Sequence, residues 1–111
     1  MVHWIVIHIN EGAADKQAVV LRNATNLMTA LGPETTIELV THGPGISLAV
    51  GAASPTLAAV LELGVTVCVC RNSMASANLT DAELFPGARI VPSGMAHLVI
   101  RQGEGWAYLR P

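Results

Sequence analysis

Gly64-Val65-Thr66-Val67-Cys68-Val69-Cys70-Arg71-Asn72-Ser73-Met74 is the stretch from which the fold is read. Its first half is a β-branched run, the composition of a buried strand. Its second half leaves that strand at a cysteine and continues in residues that open a helix. A thiol at such a junction meets the positive end of a helix and is expected to meet solvent as well. Both conditions depress a cysteine pKa, which places the candidate reactive group at Cys70.

Working outward, Val2 to Asn10 reads as a first strand that is almost continuously apolar, the mark of a strand buried on both faces of a parallel sheet. Glu11-Gly12-Ala13 turns the chain into a helix over Ala14 to Leu31, where Val20, Leu21, Ala24, Leu27, Met28 and Leu31 recur at helical spacing. Gly32-Pro33 stops it. Thr36 to Thr41 is a second strand, followed by His42-Gly43-Pro44-Gly45, which reads as a plain turn. Ile46 to Val50 has no pattern that decides between loop and helix. Ser54 and Pro55 start a helix that runs to Leu63.

Beyond the quoted stretch, a helical turn covers Asn72 to Ala77, and Thr80-Asp81-Ala82-Glu83 has the spacing of a capping box for another short helix. Ala88 to Val91 is a fourth strand, Ser93 caps a helix reaching Arg101, and Gly105 to Leu109 is a fifth strand. Strands alternating with helices predict an α/β domain with a parallel sheet covered on both faces, a single domain over residues 1–111.

In such sheets ligands bind beyond the carboxyl ends of the strands. That edge collects His8 and Asn10, His42 and Gly43, and Cys70, Arg71, Asn72 and Ser73. Cys68 and Cys70 share one strand face, roughly 6.6 Å apart at Cα. A disulfide wants Cβ atoms roughly 3.5–4.5 Å apart, so both thiols are expected free and Cys68 is read as core. Two histidines and one thiol on separate strands lack the compact spacing of a zinc site, so no metal is expected. His3 and His97 have no evident partners. No Gly-x-Ser-x-Gly elbow and no phosphate-binding glycine loop occurs. Trp106 and Tyr108 are expected to share a face of the last strand, in the core or a subunit contact.

Composition narrows the partners. The chain has 111 residues, 51% hydrophobic and only 13% charged, with a net charge of −2. Its six basic residues are scattered, which argues against a nucleic-acid surface. No apolar run is long enough to span a bilayer, and the N-terminus lacks a basic leader, so a cytoplasmic protein is expected. So small and charge-poor a domain must expose apolar surface, and a homo-oligomer is expected.

The ordered set His8-Ile9-Asn10, His42-Gly43-Pro44-Gly45-Ile46, Gly64-Val65, Cys70-Arg71-Asn72-Ser73-Met74, Val91-Pro92-Ser93-Gly94 and Glu104 to Pro111 resembles the DsrE/DsrF-like proteins over nearly the whole chain. The resemblance implies a three-layer α/β/α domain, flavodoxin-like in form, with a five-stranded parallel sheet. It also implies assembly into dimers, trimers or hexamers. Characterised relatives act in sulfur trafficking and sulfur relay, where one cysteine carries a persulfide. Cys70 matches the cysteine of the small single-domain members, whose usual pattern is Cys-x-Asn-Thr; Ser73 stands where Thr is common.

The leading expectation is therefore a sulfur carrier or sulfurtransferase without a cofactor, loaded at Cys70, with a donor or acceptor protein as partner. Arg71 and the following amides would stabilise the thiolate, Asn72 and Ser73 would hydrogen-bond the anionic sulfur, and His42 or His8 would manage protons. The alternative is a non-catalytic oligomeric module that binds a small molecule at the strand ends, with Cys70 a bystander. A flavin-binding redox protein is a third reading.

Overall fold

The computed structural model describes all 111 residues, with strands β1 (His3–Ile9), β2 (Thr35–Thr41), β3 (Thr66–Cys70), β4 (Arg89–Val91) and β5 (Ala107–Leu109) and helices α1 (Ala14–Leu31), α2 (Pro55–Glu62), α3 (Arg71–Ser76) and α4 (Gly94–Gly103). The strands form one parallel sheet in the order β4-β3-β2-β1-β5. The expected five-stranded α/β fold is the observed one.

Local chemistry sets the boundaries. Ser54 caps α2 by accepting a hydrogen bond from the Leu57 amide at 3.1 Å, and Ser93 caps α4 by accepting one from Ala96 at 3.1 Å. Gly43–Ala49 winds into a 3-10 helix starting directly after His42, where the sequence suggests a plain turn. Thr80 and Glu83 form the expected capping box, and the short helix it opens is a three-residue 3-10 turn.

Strand alternation sends side chains to two unequal layers. Ile5, Ile7 and Ile9 of β1 point with Ile37, Leu39, Val67 and Val69 into the larger core, where Val20 and Leu21 of α1, Leu57 and Val60 of α2 and Met74 of α3 meet them. Burying a side chain of this size stabilises the fold by about 1.5–3 kcal/mol, so this side dominates the energetics. The opposite face packs Val6, Val40, Cys68 and Val91 against Leu98 of α4, with Trp106 at its edge. Only α4 covers this face, and it leaves Met95, Val99, Ile100 and Trp4 exposed. Trp106 lies just before β5, tilted against Trp4 at 5.3 Å between centroids and beneath the Arg101 guanidinium at 4.4 Å. Trp106 thus sits in a half-buried edge cluster.

Candidate functional site

The even-numbered residues of β1 and β2 and both cysteines of β3 face α4. At the carboxyl edge this face presents one polar or reactive side chain from each of four adjacent strands or strand ends. In spatial order these are Cys70 at the end of β3, His42 after β2, His8 of β1 and Tyr108 of β5.

Cys70 ends β3 and is also the N-cap residue of α3. Its sulfur stands where a serine or aspartate oxygen usually caps a helix, and accepts a hydrogen bond from the Ser73 amide at 3.5 Å. The rim position expected from sequence is corrected here: the residue is only 4% exposed. The first turn of α4 descends onto it, because Gly94 has no side chain to hold the helix away. A Cβ on Gly94 would lie 3.0 Å from the Cβ of His42 and 3.2 Å from that of Cys70.

Burial by itself pushes the Cys70 thiol up. Hydrogen bonds from the Ser73 hydroxyl and from the Gly94, Ser73 and Asn72 amides outweigh it, and the net pKa falls below the ordinary 9.0. Apart from the Ser73 hydroxyl, these groups belong to the backbone, so much of the acidity is built into the fold. Replacing Gly94 by alanine is expected to lift the first turn of α4 by a few tenths of an ångström and weaken one donor. The pH midpoint of Cys70 alkylation should then move upward; an unchanged midpoint would remove Gly94 from the donor set.

Ser73 links two of the predicted segments. Its hydroxyl accepts a hydrogen bond from the Gly43 amide at 2.7 Å while its proton remains free for the sulfur. Gly43 has φ +55, and a side chain there would also meet Asn10 Oδ1 at 2.7 Å, so the loop needs glycine for its conformation and for space. Asn10 therefore belongs to the wall of the loop. Arg71 does not serve the sulfur: its guanidinium pairs with Asp81 on the exposed side of α3. Asn72 and Ser73 line a cleft of about 570 Å³ with Gly43, Pro44, Ile46 and Leu79, and Cys70 is not among its lining residues.

The two histidines are bonded to each other. His8 Nε2 lies 2.9 Å from His42 Nδ1, and His8 Nδ1 lies 2.7 Å from the Tyr108 hydroxyl. His8 is held below its ordinary pKa by burial first, then by the charges of His42 and Arg110, with Glu11 opposing. Tyr108 is the third member of this chain and 40% exposed, so it does not lie in the core.

The same sheet face carries a second polar cluster that sequence patterns did not single out. Glu38, in the middle of β2 and 3% exposed, receives both nitrogens of an Arg101 fork at 3.1 and 2.8 Å, His97 at 2.7 Å and Arg89 at 3.3 Å. Burial alone would raise the pKa of Glu38, but the hydrogen bonds and charges of Arg101 and His97 hold it below the ordinary carboxylate value. Cys68 lies 4.0 Å from His97 Nε2, and burial with the nearby Glu38 charge pushes its thiol up to about 12. Glu38, Cys68 and His97 offer three ligand atoms within 4.8 Å of one another. A cation there would have to displace the Arg101 fork and deprotonate a strongly weakened acid, so the cluster acts as an ion pair network between β2 and α4. The histidine and arginine of α4 stand at i and i+4, a spacing visible in sequence; the carboxylate they meet is not.

Fold and site together define a small parallel α/β protein whose third strand ends in a hydrogen-bonded, acidified cysteine. The chain belongs to the DsrE/DsrF-like family, whose model matches residues 3–111. It is similar to a solved protein of unknown function, MTH1491 from Methanobacterium thermoautotrophicum. The two share 31% identity over 98% of this chain and 99% of that one, with a TM-score of 0.92. No curated protein matches the chain. No helix is long and apolar enough to cross a membrane.

Proposed function

We propose that this protein carries sulfane sulfur as a persulfide on Cys70 and passes it to a partner thiol. The observation that supports this most is a strand-end sulfur that caps α3 and accepts a hydrogen bond from the Ser73 amide at 3.5 Å, its pKa lowered in spite of burial. In loading, the Cys70 thiolate attacks the outer sulfur of a donor persulfide R–S–SH. The donor S–S bond breaks, R–S⁻ leaves, and a new bond joins the outer sulfur to Cys70. In unloading, an acceptor thiolate attacks that outer sulfur and Cys70 leaves as the thiolate. No net oxidation occurs in either step, so no redox cofactor is required.

Mass spectrometry after incubation with inorganic polysulfide tests this. Wild type should gain a sulfur atom on Cys70, and Cys70→Ser should gain none; equal loading of the two ends the proposal. The cleft favours one other reading, because its lining reaches Asn72 and Ser73 but not the sulfur. A ligand-binding module would hold its ligand with unchanged affinity in Cys70→Ser. Within the carrier reading, the exposed apolar residues of α4, Val99 at 69% and Met95 at 56%, are proposed to seat a second copy of the chain. A cytoplasmic setting, where free thiols persist, suits both cysteines.

A further inference from the structure

Two nitrogens 2.9 Å apart hold one proton between them, never two. His8 and His42 therefore share a single N–H, and the Tyr108 hydroxyl fixes which way it points. If the Tyr108 hydroxyl donates to His8 Nδ1, His8 donates from Nε2 to His42 Nδ1, and His42 carries its own proton outward on Nε2. If instead His42 donates to His8, then His8 donates to the Tyr108 oxygen, the Tyr108 proton points outward, and His42 Nε2 is a bare base. Moving one proton between the two ends interconverts these arrangements with every ring neutral. The chain lies along the sheet edge in strand order. Its two ends differ in setting: His42 packs with Cys70 on the same Gly94, while Tyr108 reaches solvent.

We infer that Tyr108, His8 and His42 form a one-proton relay whose polarity alternates between the two halves of a sulfur-transfer cycle at Cys70, an inference that rests on the persulfide reading. In loading, the departing R–S⁻ takes the proton from His42 Nε2. His8 then gives its Nε2 proton to His42 Nδ1, the Tyr108 proton passes to His8 Nδ1, and water reprotonates the tyrosine oxygen. This leaves the chain in its second arrangement, with His42 Nε2 bare, and the proton drawn from water at the tyrosine balances the one carried off on the released thiol. In unloading, the acceptor thiol surrenders its proton to His42 Nε2 while that nitrogen is bare, and the relay runs backward until Tyr108 releases a proton to water. The cycle as a whole neither gains nor loses a proton. His42 is the member that meets substrate; His8 and Tyr108 are positioning residues that set its tautomer.

The charged groups around the relay are few. Glu11 and Arg110 pair with each other at 3.6 Å beside His8, while His97 and Arg101, the titratable groups of α4, turn to Glu38. The sharing of one proton is therefore governed by the chain itself.

Tyr108→Phe tests the relay with two readouts. The first is imidazole nitrogen NMR on the unloaded protein. Wild type should take up one proton over the ordinary histidine range, where two independent rings would take up two, and Tyr108→Phe should change the His8 tautomer. Independent titration of both rings, or an unchanged tautomer in the variant, overturns the inference whatever happens at Cys70. The second is the rate of sulfur transfer from preloaded Cys70 to a small thiol. Proton transfer by a positioned side chain contributes about 10²–10⁴-fold, so losing one end of the relay should slow transfer about tenfold or more and alter its pH profile. His42→Gln should slow it further. A uniform slowing with an unchanged pH profile marks a merely structural tyrosine and overturns the inference. Failure of wild type to load Cys70 overturns the persulfide reading and with it the relay's role in transfer, leaving the proton sharing to be judged by NMR.

Discussion

At pH 7 Cys70 will be alkylated by iodoacetamide at least about thirtyfold faster than Cys68. The two thiols stand on one strand, two residues apart, and face the same helix, so the difference comes from their immediate partners. Cys68 has a pKa pushed up to about 12 by burial and by the Glu38 carboxylate, which leaves about one thiolate in 10⁵ at neutral pH. Cys70 has a pKa below 9.0, which makes at least about one in 10². The ratio is about a thousandfold. The more basic thiolate is intrinsically the better nucleophile and recovers a factor of about 30 at most, leaving about thirtyfold. The complete burial of Cys68 widens the gap.

The measurement is peptide mass spectrometry of a pH series after a short pulse of reagent. Because Cys70 is itself nearly covered, a bulkier maleimide should lose much of the advantage. Equal, slow labelling of both cysteines from pH 6 to 9 would leave Cys70 as a buried structural thiol and end the sulfur-carrier proposal.

Arg101→Met is expected to destabilise the protein by about 3 kcal/mol, toward the lower end of the range for breaking a buried ion pair because the guanidinium keeps some contact with water. The substitution leaves the Glu38 carboxylate almost wholly buried with His97 and the more exposed Arg89 as its partners. For a domain of this length the midpoint of thermal unfolding should fall by about 10–15 °C. Glu104, the other partner of Arg101 at 2.9 Å, is exposed, and Glu104→Gln should be nearly neutral.

The pH dependence has a definite sign. Glu38 is more acidic folded than unfolded, so its contribution is complete above the ordinary value of 4.5 and is lost as pH falls through the lower folded value. In Arg101→Met that loss should begin at higher pH. Wild-type melting at pH 7 and at pH 5 in this variant would show that Glu38 needs no arginine.

The strand ending at Cys70 was legible because every signal for it is local. Its residues are β-branched, glycine precedes it, and Ser73 follows three residues after the capping sulfur. The serine caps of α2 and α4 were legible for the same reason: each rests on a side chain reaching the backbone three residues on. Cys68 as core followed from its depth in an apolar strand.

The burial of Cys70 was not legible, since it depends on where the first turn of α4 lands. The Gly94 that lets it land there is, in sequence, only a glycine after a cap. Arg71 misled by adjacency: a neighbour along the chain leaves the strand end in another direction, and Asp81 holds it there. Tyr108 could not be joined to His8 until β5 was known to lie beside β1, a pairing between residues 100 positions apart. Glu38 reads as a lone charge in a strand until α4 is laid across that face.

By itself, then, the sequence determined the alternation of strands and helices, the face each apolar residue seeks, and the junction at which the thiol stands. These follow from periodicity and capping, interactions that span a few residues. The tertiary structure alone decided which helix covers which face, and so the burial of Cys70 under Gly94, the raised pKa of Cys68 beside Glu38 and the chain from Tyr108 through His8 to His42. Those properties arise from dipoles and charges brought within hydrogen-bonding distance by the order of strands in the sheet.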